Sequence, residues 1–214
     1  MSALSNLAAR ARSSADRLLE QPWVYRSIQA PFAEAKLAPF FRHVDRARLR
    51  SVLDVGCGPG TNAAHFAAGQ YLGIDINPDY IASAQRRFGA RFAVGDVTDP
   101  CVLPGARFDC VLANSLLHHL DDDAVRALLS RLAERVAPGG RVHVMDLVLP
   151  EQPSAAQLMA RLDRGRHPRP LADWRRLFAE AFEERVFEPY ALGLPGLALW
   201  QMVYFEGEPR TPAR

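Results

Sequence analysis

The feature that most constrains this chain is a short apolar run that ends in closely spaced glycines: Leu53-Asp54-Val55-Gly56-Cys57-Gly58-Pro59-Gly60-Thr61. A strand stops, the backbone turns with almost no side chains, and an Ala-rich helix is predicted through Ala68. Glycine is needed where positive φ is required or where a ligand must touch the main chain. The new helix would aim unpaired N–H groups and its positive end at the crevice, an environment for a carboxylate or phosphate. Nineteen residues after Gly56, at the end of the next apolar run, stands Asp75, placed to accept both hydroxyl protons of a ribose. The glycines follow G-x-G-x-G with Pro59 inside, not the G-x-G-x-x-G of a dinucleotide site, so a nicotinamide dehydrogenase is disfavoured.

The same alternation continues along the chain. Ser51–Val55, Tyr71–Asp75, Arg91–Val94, Phe108–Ala113 and Arg141–Leu149 read as strands. Asn77-Pro78 is a helix start, with Asn as cap and Pro at the first turn. Asp121–Asp123 open another helix, which Pro138-Gly139-Gly140 is expected to stop. A helix from Leu171 to Phe182 follows, then two closing strands, Val186–Tyr190 and Ala198–Phe205. Strand–helix alternation implies right-handed crossovers and an α/β fold with a parallel sheet covered on both faces. Ligands in such sheets bind beyond the strands' carboxyl ends.

Residues 1–50 read as helical, with breaks predicted at Pro22 and Pro31 and a kink at Pro39. The expected organisation is a helical cap over 1–50 and a core over 51–214, with a Pro- and Arg-rich cover at about 150–170. The formal net charge of +2 implies no nucleic-acid field. Cys57, Cys101 and Cys110 include no C-x-x-C pair, which argues against a four-thiolate metal site or a disulfide framework. No run approaches about 18 apolar residues, so no membrane span is expected. The first residues lack the long apolar centre of a secretory signal and read as an amphipathic helix, so a cytoplasmic location is expected.

At this point the sequence resembles the class I S-adenosylmethionine-dependent methyltransferases. LDVGCGPGT is similar to their glycine motif, GIDIN to the ribose-binding strand end and GDVTD to the adenine loop. FDCVLANSLLHHL resembles the fourth-strand motif, and LAERVAPGGRVHVMD the helix, turn and strand that follow. The resemblance covers about residues 50–150 in the family's order. It implies a doubly wound, mostly parallel seven-stranded sheet with an antiparallel final strand, and S-adenosylmethionine as cofactor. By resemblance, Gly56, Cys57 and Gly58 approach the methionyl part through backbone atoms, and Asp54 stabilises the loop near the ammonium. Asp75 holds the ribose, Ile76 and Val97 sandwich adenine, Asp96 accepts from its exocyclic amine, and Asn114 faces the sulfonium.

A methyl acceptor that arrives protonated needs a base, and His118, His119, Asp146 and His167 are the candidates. Adjacent residues do not share a helix face, so only one of the two histidines is expected in the crevice. Packing is the alternative for the histidines, as is an Arg partner for Asp146. In the cover, Arg161-Leu162-Asp163-Arg164-Gly165-Arg166-His167-Pro168-Arg169 is strongly basic. Arg164 and His167, with Tyr25 from the cap, are candidate contacts to a small and anionic acceptor; a solvated basic loop is the rival view. No His, Asp or Glu set has metal-ligand spacing, and no metal is expected. The fourth-strand motif reads Ala-Asn-Ser-Leu rather than Asn/Asp-Pro-Pro-aromatic, which lowers nucleobase and glutamine targets. The expected activity is methyl transfer to an O or N atom of a small molecule. The competing reading is a protein that binds the cofactor but has a non-methylating or partner-subunit role.

Overall fold

A computed structural model describes residues 22–66, 70–89, 91–163 and 165–210, leaving out the side chains of 22–31 and 33. Helix α1 (Pro22–His43) is followed by β1 (Val52–Val55), β2 (Tyr71–Asp75), α2 (Pro78–Phe88), β3 (Phe92–Val94) and β4 (Phe108–Asn114). Then come α3 (Asp122–Arg135), β5 (Val136–Val148), α4 (Ala155–Leu162), α5 (Leu171–Ala181), β6 (Phe182–Leu194) and β7 (Leu197–Pro209). The strands form one sheet in the order β3-β2-β1-β4-β5-β7-β6. The neighbours from β3 to β5 pair in parallel; β7 runs antiparallel between β5 and β6. Strand order reverses between β1 and β4, which makes their carboxyl ends the crevice of the sheet.

Alternation along each strand decides which face a residue serves. Leu53 and Val55 of β1 join Val111 and Ala113 of β4 and Val142 and Val144 of β5. This layer packs on Val125, Leu128, Leu129 and Leu132 of α3 and on Trp174, Leu177 and Phe178 of α5. On the other face Val52, Cys110, Leu112 and Met145 meet Leu37 and Phe40 of α1 and Ile81 and Ala84 of α2. Asp54 has the parity of Val52 and lies fully buried in that face. The helix starts follow from local chemistry: Asn77 accepts from Asp79 N at 2.9 Å, and Asp121 from Ala124 N at 2.9 Å.

Four expectations need correction. Pro22 does open α1, but the helix runs on through Pro31 and Pro39. Each proline removes one helical hydrogen bond. Burial of Leu37 and Phe40, the latter edge-on to His143 at 5.0 Å between centroids, offsets that loss in the second half. The Ala-rich helix after the glycines is only a 3₁₀ turn, Thr61–His65, and Phe66 is already extended. Gly60 starts it with no side-chain cap, and Asn62 is turned inward to Asp54. Pro138-Gly139-Gly140 does not stop α3, which ends at Arg135; it lies within β5 beside an irregularity at Phe108/Cys110. A side chain at Gly140 would sit 2.8 Å from the Asp109 carbonyl, so the glycine permits this close pairing. Finally, β6 and β7 extend well beyond the expected closing strands, because each residue gained completes a ladder with its neighbour. Among the described residues no helix is long and apolar enough to cross a membrane. The helical reading of residues 1–21 falls outside the described residues.

Candidate active site

Gly56, Gly58 and Gly60 all adopt left-handed φ, at 69°, 55° and 77°. At Gly56 a Cβ would also meet Leu116 at 2.8 Å, and at Gly60 it would meet Ala84 at 2.9 Å. Gly56 and Gly60 are therefore restricted to glycine by both torsion and space, and Gly58 is favoured by torsion. Gly56 N and Cys57 N bond the Ile74 carbonyl at 2.8 and 3.1 Å, which ties the loop to the end of β2. Asp75 completes the turn: Oδ2 accepts from Gly58 N at 2.9 Å and Oδ1 from Asn77 N at 2.8 Å. Burial raises its carboxyl pKa, and those two amides oppose the shift. Cys57 is buried with its thiol pKa pushed well up, so its side chain is no nucleophile and only its backbone is available to a ligand.

A directed hydrogen-bond chain crosses the crevice. Lys36 Nζ of α1 donates to Ser115 Oγ at 3.0 Å, and Ser115 Oγ donates to Asn114 Oδ1 at 3.3 Å. Asn114 Nδ2 donates to Asn62 Oδ1 at 3.4 Å, and Asn62 Nδ2 to Asp54 Oδ2 at 2.9 Å. The Tyr71 hydroxyl donates to the same Asp54 oxygen. Asp54 Oδ1 is buried with no hydrogen-bond partner among the described residues. Burial lifts the Asp54 carboxyl to about 7 against the bonds from Tyr71 and Asn62. Ser115, just after β4, holds φ of +57°, uncommon for a side chain other than glycine and a mark of local constraint.

Beside this chain the turn Leu117–His119 presents His118, buried among carboxylates. His118 Nδ1 lies 2.5 Å from Asp146 Oδ1, and Nε2 lies 3.2 Å from Asp163 Oδ1. Asp146, fully buried on β5, also accepts from Leu117 N and Leu147 N, both at 2.7 Å. Burial opposes the imidazolium, but the two carboxylates outweigh it and hold His118 up at about 9. Burial likewise works against both carboxylates; the cation prevails, lowering Asp146 and bringing Asp163 to about 2. His118 is thus a cation at neutral pH. His119 points outward and is exposed, its ring 4.2 Å from that of His118.

Arg169 fastens the cover to this turn. Its guanidinium donates to the Leu117, His167 and Leu120 carbonyls at 3.2, 3.0 and 2.7 Å and to Asp122 at 2.8 Å.

Several sequence candidates come together here and others do not. Asp54, Asp75, Asn114, His118 and Asp146 all lie at or near the carboxyl ends of β1, β2, β4 and β5, Asp54 and Asp146 fully buried there. Asp146 pairs with His118 rather than with an arginine. Asp96 spends Oδ1 on a turn, accepting from Thr98 N and Oγ1 at 2.8 and 2.7 Å. Ile76 is 64% exposed, whereas Val97 is buried in the core, so the two differ sharply in access to a ligand. His167 is exposed, and its backbone N–H donates to the His118 carbonyl at 3.0 Å. Arg164 and the Tyr25 side chain lie outside the described residues. Sequence reasoning missed Lys36, Ser115 and Asp163 as site residues. A clue was present for the first, since Lys36 is the sole lysine among 26 basic residues. His118, His119 and Asp163 bring donor atoms within 4.8 Å of one another. Two of those donor atoms face each other, His118 Nε2 and Asp163 Oδ1 at 3.2 Å.

A family model described as a methyltransferase domain matches residues 52–140. An uncharacterized methyltransferase of Mycobacterium tuberculosis is 40% identical over 104 residues, covering 46% of this chain and 51% of that protein. A trans-aconitate 2-methyltransferase of Methylobacterium nodulans is 34% identical over 131 residues, covering 58% and 49%. The chain spans about half the length of the curated relatives it matches. The structure of the N-methyltransferase NodS of Bradyrhizobium japonicum with S-adenosyl-L-homocysteine superposes with a TM-score of 0.71 at 19% identity, covering 93% of this chain and 98% of that one. Residues 52–140 therefore match a methyltransferase domain, and the sheet that contains them shares the fold of that solved N-methyltransferase.

Proposed function

We propose that the protein transfers a methyl group from S-adenosylmethionine to an oxygen or nitrogen of a small-molecule acceptor by in-line substitution. The observation that carries this reading is the directed chain from Lys36 to Asp54, which ends at a buried carboxylate with one oxygen unpartnered. A buried carboxylate oxygen without a partner fits an ammonium brought by a ligand. When bound, S-adenosylmethionine supplies a methyl on a sulfonium that departs as a neutral thioether.

In this reading Asp54 receives the ammonium and Asp75 the ribose hydroxyls. Backbone groups of Gly56, Cys57 and Gly58 border the methionyl part. The exposed face of Ile76 offers adenine an apolar surface, with Val97 beneath and Asp96 at the edge. Asn114 sits at the sulfonium side, and Ser115 and Lys36 lead from it to the acceptor. Asp146 fixes the His118 ring, whose raised value of about 9 suits it to orient the acceptor as a hydrogen-bond donor rather than to remove a proton. A carboxylate or an unprotonated amine needs no base, and positioning supplies much of the barrier reduction. A curated relative is named for methylating trans-aconitate, a carboxylate, which supports an anionic acceptor here. The described part of 22–50 is assigned as a cap and that of 150–170 as a cover on the core that begins at 51, with His119 and His167 at its acceptor side; the roles expected of Tyr25 and Arg164 fall outside the described residues. The balanced charge argues against nucleic acid as substrate, and we assign the protein to the cytoplasm.

S-adenosylhomocysteine is expected to raise the melting temperature by several degrees where NAD does not. Labelled cofactor with a small-metabolite extract should then give a labelled small product. Absence of any binding would sink the reading; binding with no methyl transfer to any acceptor would leave a cofactor-binding protein.

The pH dependence has a defined sign. A carboxyl raised by burial costs the free fold stability as it ionises, from about pH 4 upward through its value of about 7. A ligand ammonium binds the ionised form. Affinity for S-adenosylhomocysteine should therefore rise about tenfold between pH 6 and 8, and Asp54→Asn should flatten that rise. Calorimetric titration at the two pH values checks it.

A further inference from the structure

Resting on the acceptor side of that reading, we infer that His118 and Lys36 form a carboxylate-binding site filled here by the chain's own Asp163, whose place the acceptor's carboxylate takes. His118 faces two carboxylates, and they are held very differently. Asp146 is fully buried in β5 and bound by two backbone amides in addition to His118. Asp163 lies half-buried just past the end of α4, and besides His118 it accepts locally from Gly165 N at 2.8 Å. Asp146 is the fixed partner that sets the ring, and Asp163 is the exchangeable one.

Charge gives the same answer. Lys36 sits by Ser115, within electrostatic reach of both Asp146 and Asp163. Lifting Asp163 away removes one negative charge and leaves His118 Nε2 as a donor without that carboxylate. A single carboxylate replaces the charge that Asp163 brought, whereas a phosphate dianion brings one more. The approach to the ring is also specific. Gly165 lies so close that a Cβ there would overlap His118 Cδ2, and His167 N donates to the His118 carbonyl at 3.0 Å. The cover therefore delivers Asp163 to His118 through a segment that only glycine allows. Ser115 joins this site directly to Asn114 and the chain toward Asp54, so an anion held here lies next to the cofactor side of the crevice.

The test vacates the site and offers it a carboxylate. Asp163→Ala, and Asp163→Asn as the shape-preserving variant, are loaded with S-adenosylhomocysteine and titrated with acetate at fixed pH while the His118 imidazole resonances are followed by NMR. Acetate should bind saturably and return those resonances toward their wild-type positions. Acetamide should do nothing, phosphate should bind at least tenfold more weakly than acetate, and adding Lys36→Met should weaken acetate at least tenfold. Failure of acetate in both variants, an equal response to acetamide, preference for phosphate, or indifference to Lys36→Met would each overturn the inference. Cofactor affinity measured in the same samples separates this outcome from failure of the methyltransferase reading: intact cofactor binding without an acetate response rejects only the carboxylate site.

Discussion

Asp146→Ala is expected to destabilise the protein by about 3–5 kcal/mol, the scale for removing one partner of a buried ion pair. For a chain of this size that lowers the melting temperature by roughly 6–20 °C. The carboxylate is fully buried and receives three donors: the His118 ring, Leu117 N and Leu147 N. Truncation leaves two amides and a cationic ring without their acceptor in a dry setting. Asp146→Asn keeps the shape and one acceptor oxygen, so it should cost less than alanine. The pH window follows from both partners. Asp146 is lowered, so its contribution is present above the ordinary carboxylate range and lost as pH falls through the lowered value. His118 is raised, so its contribution is complete below about 6.5 and lost as pH rises through about 9. The deficit of the alanine variant should be largest from about pH 4 to 6.5 and shrink toward pH 9 and above. Urea denaturation across that range measures it; a loss below about 1 kcal/mol at pH 6 would show that the pair contributes no more than a surface contact.

Asp75→Ala should weaken S-adenosylhomocysteine binding by about 1–3 kcal/mol, or roughly 5- to 150-fold, the scale for hydrogen bonds to a charged group. Two effects combine. The carboxylate is the proposed partner of the ribose hydroxyls, and it also holds Gly58 N and Asn77 N. Loss of those amide bonds loosens the glycine loop, so the ligand-free protein should melt slightly lower. Asp75→Asn separates the contributions: one acceptor oxygen persists for the loop, while the paired acceptance from a diol is lost. If calorimetry finds unchanged affinity in both variants, Asp75 belongs to the loop alone.

Much of this could be read before the structure. The strand ends, the glycine turn, the cap at Asn77 and the acidic helix start at Asp121–Asp123 are local: each depends on residues within a few positions of one another. Asp75 was legible because the length of one crossover puts the second strand end beside the first. Asp54 and Asn114 followed from resemblance, and the structure adds that one chain of donors joins them through Asn62. Pro31 and Pro39 misled because their local preference was outweighed by burial of Leu37 and Phe40, a tertiary effect. Pro138-Gly139-Gly140 looked like a plain stop because nothing local announces that β5 pairs as far back as Val136.

The linear chain determined that strands would alternate with helices and that glycine backbone would meet a carboxylate at the crevice, since periodicity and turn chemistry act over short separations. Only the tertiary structure brought Lys36 to Ser115 across 79 positions, set Asp146 28 positions from His118, and folded the cover so that Asp163 reached the same ring. Those meetings depend on how sheet and helices pack, and their protonation states depend on burial and neighbouring charge, which no residue carries by itself.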